Sequence, residues 1–103
     1  MRYNKLVRDK IPEIIRKDKK KSVTYIADDS EYWMKLKEKL IEEVSEFSEN
    51  STEEEMADIL EVIDAICEFK GFDKEGLKKI KLRKRFKRGG FKERIILESV
   101  EET

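Results

Sequence analysis

The sequence predicts an all-α fold, a helical bundle of about four helices with room for a small two-stranded β-ribbon. Three observations lead there. Apolar residues recur at three- and four-residue spacings, cap residues stand at the head of such runs, and only two short stretches are β-branched enough for strands. Residues 4–16 carry Leu6, Val7, Ile11, Ile14 and Ile15 on one side of a short amphipathic helix, which Pro12 kinks or restarts. Val23-Thr24-Tyr25-Ile26 reads as a strand, and Arg94-Ile95-Ile96-Leu97 as a second that pairs with it. Asp28 and Glu31 have capping-box spacing, so a helix starts near Asp29 and runs to about Glu49. Asn50-Ser51-Thr52 breaks it, and Thr52 with Glu55 caps the next helix, which reaches about Lys70 and stops at Gly71. Asp73 caps the last helix, and Gly89-Gly90 terminates it. No linker or internal repeat divides the chain, so residues 1–103 are expected to form a single domain.

Composition narrows the chemistry. Hydrophobic residues make up 38% of the 103 and charged residues 47%. A chain this short buries roughly 60–65% of its unfolded surface, which makes self-association expected. No apolar run approaches the ~20 residues of a membrane span, and no signal-peptide pattern opens the chain. The lone Cys67 has no partner for an internal disulfide, so a cytoplasmic location is the expectation. Histidine is absent. That removes Ser-His-Asp and Cys-His catalysis, His-ligated zinc and the Glu-x-x-His di-iron site. The formal net charge is zero, but the charges are segregated. Residues 1–21 carry nine Lys/Arg against three Asp/Glu, residues 28–75 five against seventeen, and residues 78–94 ten against one. Acidic clusters attract hard cations and basic flanks attract phosphate. Solvated helix faces, with the Lys/Glu excess of a heat-adapted protein, account for the same pattern more plainly, so the charges alone name no function.

The positions of particular carboxylates say more. At 100° per residue, Leu36, Leu40, Glu43 and Phe47 form one column, which sets Glu43 in the middle of an apolar stripe. Glu46 lies one turn on at the stripe's edge, and Glu42 on its flank. In the next helix Glu55, Ile59, Val62 and Ile66 repeat the column, while Asp58 aligns with Val62, Ala65 and Phe69. Two helices joined by so short a loop pack antiparallel, which brings Glu43 and Glu46 near Glu55 and Asp58. Four carboxylates on facing apolar stripes need compensation, because an unpaired buried charge costs several kcal/mol or takes up a proton. Mg²⁺, an oxygen-seeking ion, is one solution; pairing with snorkelling lysines at the stripe edge is the other. Glu61 and Asp64 have the same spacing, but Glu61 points along an outward column, and this pair ranks second. Trp33, Phe47, Phe69, Phe86 and Phe91 fall where core or interface packing is the default. Cys67 is most simply a small buried apolar residue.

Glu42-Glu43-Val44-Ser45-Glu46 followed by Glu55-Met56-Ala57-Asp58-Ile59-Leu60 resembles the E-E-x-x-E … E-x-x-D pattern of the all-α nucleoside triphosphate pyrophosphohydrolases. That superfamily contains MazG-like proteins, dimeric dUTPases and phosphoribosyl-ATP pyrophosphohydrolase. The opening Tyr3-Asn4-Lys5-Leu6-Val7-Arg8-Asp9-Lys10-Ile11-Pro12 and the late Arg88-Gly89-Gly90-Phe91 resemble one MazG-like subgroup, so the likeness spans nearly the whole chain. The gap between Glu46 and Glu55 is short for the superfamily, which keeps Glu61 and Asp64 open as a replacement or supplement for Glu55 and Asp58. The resemblance implies hydrolysis between the α- and β-phosphates of a nucleotide, giving a nucleoside monophosphate and pyrophosphate. It implies Mg²⁺, with Mn²⁺ an acceptable substitute, held by Glu43, Glu46, Glu55 and Asp58. Glu42 or Glu46 would take the proton of the attacking water. Lys5, Arg8 and Lys10, with Lys84, Arg85 and Arg88, would grip the phosphates. The implied assembly is a homodimer or homotetramer, with sites completed by a partner chain.

Four functional readings follow. The first is a Mg²⁺-dependent nucleotide pyrophosphohydrolase that clears non-standard nucleotides, with no membrane partner. The second is phosphoribosyl-ATP pyrophosphohydrolase, with the same chemistry on a larger substrate. The third is a phosphate- or nucleic-acid-binding helical module built on residues 78–94. It is disfavoured because such a module gains nothing from carboxylates on apolar stripes. The fourth is a structural dimer without catalysis, whose carboxylates merely pair with lysines.

Overall fold

The computed structural model describes residues 3–102 and contains four helices, α1 (Ile11–Lys17), α2 (Asp29–Glu49), α3 (Glu53–Lys70) and α4 (Lys74–Arg88). The chain divides into two compact units, Met1–Gly71 and Phe72–Thr103. The first contains α1, α2 and α3; the second contains α4 and the residues after it.

The three longer helices begin where their cap residues stand. Asp28 is extended, and its carboxylate accepts a hydrogen bond from the Glu31 amide at 2.9 Å, which fixes the start of α2. Thr52 does the same for α3 through the Glu55 amide at 3.3 Å, and Asp73 for α4 through the Gly76 amide at 3.1 Å. At the far end of α3, Gly71 takes the left-handed conformation (φ 69°) that a side chain would strain, and its amide bonds back to the Glu68 carbonyl.

α1 is shorter than the sequence suggests. Residues 4–10 are not helical, and the helix opens at Ile11 with Pro12 in its first turn. Proline has no N–H to give a preceding turn, and its fixed φ suits a helix start, so it begins the helix rather than kinking one. Neither 23–26 nor 94–97, the two stretches expected to pair as a ribbon, is a strand among the described residues. Val23 and Ile26 are more than nine-tenths exposed, and Ile95, Ile96 and Leu97 at least three-quarters exposed. A two-stranded ribbon with no face to bury is marginal in water, so β-branched composition alone does not make one.

The core of the first unit lies between α2 and α3, which run antiparallel. The start of α2 meets the end of α3, where Trp33 stacks on Phe69 (centroids 5.9 Å apart) and Tyr32 meets the same ring edge-on. Leu36 of α2 and Val62 and Cys67 of α3 are buried. Leu40, Phe47, Ile59 and Ile66 are half-buried on the same stripes. Burial of a single apolar side chain stabilises by about 1.5–3 kcal/mol, so a seam this thin leaves a small margin.

Candidate metal centre

Ten residues beyond Trp33, the α2 stripe meets the head of α3, and there an acid replaces the apolar residue. Glu43 is 7% exposed, the one charged residue buried among those described. Thr52 starts α3 so that Glu55 and Asp58, one turn apart, face it. One carboxylate oxygen each from Glu43, Glu55 and Asp58 lie within 4.8 Å of one another. Three carboxylate oxygens grouped this closely would offer a hard divalent cation, which takes oxygen ligands, a shared place to bind. Oε2 of Glu43 and Oε2 of Glu55 are buried without a hydrogen-bond partner. Buried polar oxygens are rarely left so, and an all-oxygen, all-anionic set is suited to a hard divalent cation.

The remaining oxygens are engaged by cations of the chain. Lys39, one turn before Glu43, approaches Glu43 Oε1 and Glu42 Oε2, each at 3.4 Å. Lys5 donates to Glu42 Oε1 at 3.1 Å, and Arg8 donates to Asp58 Oδ1 at 2.8 Å. Lys35 donates to the Asn4 carbonyl at 2.7 Å, so the non-helical segment 4–10 is tied to the α2–α3 pair at three points. Burial pushes the Glu43 carboxyl above its ordinary value, and the neighbouring Glu46 charge adds to the rise, only partly offset by Lys39. Burial acts the same way on Glu42, but the hydrogen bond from Lys5 and the charge of Lys39 outweigh it and hold that carboxyl low. Lys5 is raised in turn, chiefly by its hydrogen bond to Glu42.

Of the residues expected to hold a metal, Glu43, Glu55 and Asp58 come together, while Glu46 is exposed and outside the close group. Glu61 and Asp64 are exposed on α3 and do not join it. Among the expected phosphate-binding residues, Lys5 and Arg8 lie against the acids. Lys10 is exposed as the residue preceding α1. Lys84, Arg85 and Arg88 are exposed on α4 in the second unit, where Lys84 and Arg88, with Ile80, Arg83 and Lys87, line a shallow hollow of about 210 Å³. Sequence reasoning did not single out Lys39. Its signal is the i, i+3 and i, i+4 spacing to Glu42 and Glu43. No helix among the described residues is long and apolar enough to cross a membrane. In comparisons with known proteins, no family model, no curated protein and no solved structure matches the chain.

Proposed function

We propose that the protein is a Mg²⁺-dependent nucleotide pyrophosphohydrolase, cleaving between the α- and β-phosphates to release a nucleoside monophosphate and pyrophosphate. The observation that carries this reading is the pair of buried, partnerless oxygens on Glu43 and Glu55, beside Asp58. Lysine pairing alone, as in a purely structural dimer, leaves both of them unsatisfied. A phosphate- or nucleic-acid-binding module has no use for them either.

In this reading Glu43, Glu55 and Asp58 hold the ion, with Mn²⁺ able to replace Mg²⁺. Bound there, the ion would offset negative charge on the phosphates and make a water more acidic. Between the two candidate bases, Glu46 is the better. The Glu42 carboxylate is engaged by Lys5 and Lys39, which stabilise its charge and weaken it as a proton acceptor. Glu46 is exposed beside Glu43, open to a water at the edge of the site. Lys5 and Arg8 stand against the acids, where charge-assisted hydrogen bonds to phosphate oxygens would orient the substrate and stabilise departing pyrophosphate. Lys10, Lys84, Arg85 and Arg88 are further phosphate-binding candidates on their charge. A homodimer or homotetramer is part of the proposal, supported by apolar residues that α2 and α3 leave exposed. Phosphoribosyl-ATP belongs in the substrate panel as the larger alternative.

The test is a panel of standard and non-standard nucleotides with Mg²⁺, scored for pyrophosphate against orthophosphate. Pyrophosphate release that stops in EDTA and returns with Mg²⁺ or Mn²⁺ is expected. Release of orthophosphate alone, or turnover unaffected by EDTA, would overturn the reaction proposed.

A further inference from the structure

The counter-ions of the acidic group differ in origin. Lys39 belongs to α2 itself, one turn from Glu43, and is only 17% exposed. Arg8 comes from the non-helical segment 4–10, fifty residues away in sequence from Asp58, and its side chain is 56% exposed. An ion pair this open to water is weak, because solvent screens it and the long side chain gives up rotamer freedom to make it. Arg8 is therefore the cation most cheaply displaced.

We propose that Arg8 and the divalent cation compete for Asp58, so that metal binding releases Arg8 from the carboxylate to grip a substrate phosphate. The inference rests on the metal-centre reading above and adds an order of events to it. Before the metal enters, the Arg8 guanidinium neutralises Asp58 at 2.8 Å, which limits repulsion among the three acids. A dication shared by Glu43, Glu55 and Asp58 takes over that neutralisation and repels the guanidinium from a few ångströms away. The freed fork of donors remains near the group because segment 4–10 keeps its other two ties, Lys5 to Glu42 and Lys35 to the Asn4 carbonyl. A planar guanidinium with parallel N–H donors matches a phosphate's oxygens better than a lysine does. Substrate binding thus follows metal binding, and Arg8 reports which step has occurred.

The experiment measures Mn²⁺ affinity by the loss of free-ion paramagnetic resonance, for the wild-type chain and for Arg8→Gln, both stripped of metal. The exposed position of Arg8 makes the variant safe for folding, which circular dichroism checks. Removal of the competitor should tighten Mn²⁺ binding by about three- to tenfold, in line with a lost exposed ion pair plus relieved repulsion. In parallel, the ¹⁵N resonance of the Arg8 guanidinium should move to the position of a free arginine on adding Mg²⁺, and shift again on adding inorganic pyrophosphate. Unchanged or weaker Mn²⁺ binding by Arg8→Gln overturns the inference while leaving the metal centre standing. A folded wild-type chain that binds no Mn²⁺ overturns both.

Discussion

Glu43 and Glu55 each keep one oxygen out of water and out of any hydrogen bond, and the two should respond differently to neutral replacement. Glu43 also faces Lys39, so Glu43→Gln would cut an ion pair. Glu55 gives the cleaner experiment. Glu55→Gln keeps the shape and removes the negative charge that Mg²⁺ requires, so turnover should be lost while the fold remains. Stability in metal-free buffer should hold or rise, because repulsion among Glu43, Glu55 and Asp58 is relieved. The comparison variant is Glu61→Gln, on an exposed position outside the close group, which should change turnover only slightly. Denaturant melts in EDTA and initial rates in Mg²⁺ read both arms. A loss of more than about 1.5 kcal/mol by Glu55→Gln without metal, comparable to a lost charged hydrogen bond, would point to a structural role instead. The burial of Glu43 was legible from its place in the column of Leu36, Leu40 and Phe47. The grip of Arg8 on Asp58 was not, because a contact across fifty residues leaves no periodicity to read.

The elements set the register of those residues. α3 begins at the Thr52 hydroxyl, and the same hydrogen bond holds the amide of Glu55, so the cap and the first acid of the site share a turn. Thr52→Ala should destabilise the protein by about 1 kcal/mol, the usual worth of an N-cap, and Thr52→Ser should restore most of it. Mn²⁺ affinity should fall with the alanine variant and recover with serine, since fraying the first turn of α3 loosens Glu55 before Asp58. An equal loss with both substitutions would mean that the threonine methyl packs rather than the hydroxyl caps. Cap chemistry is local, which explains why the bounds of α2, α3 and α4 could be read from Asp28, Thr52, Asp73, Gly71 and Gly89. The ribbon expected at 23–26 and 94–97 depended on a tertiary face instead, and side chains as exposed as Val23 and Ile26 supply none. Likewise Pro12 opened α1 where an apolar pattern starting at Leu6 suggested an earlier start, because a missing N–H outweighs periodicity.

For the whole molecule, the seam between α2 and α3 covers one stripe on each helix and leaves a second. Met34, Ile41 and Val44 of α2 and Met56, Leu60 and Ile63 of α3 recur at three-, four- and seven-residue intervals and are between 37% and 71% exposed. The apolar residues of 55–70 span more than half of the helix circumference, wider than one neighbouring helix covers. A second copy presenting the same two stripes would complete a four-helix arrangement, as short chains that cannot bury their apolar surface alone commonly require. Sedimentation at micromolar concentration should therefore show a dimer or tetramer. Leu60→Glu puts a charge in the middle of the exposed α3 stripe, and it should raise the dissociation constant at least tenfold, a shift of about 1.4 kcal/mol. Glu43, Glu55 and Asp58 all belong to one chain, so the Leu60→Glu monomer should still bind Mn²⁺ near the wild-type affinity. Its turnover separates two architectures. A site completed by a neighbour's residues would lose activity on dissociation while keeping its metal, whereas a self-sufficient site would keep both. A wild-type chain that stays monomeric at these concentrations would remove the interface, and with it any contribution from a partner, without touching the acids that hold the ion.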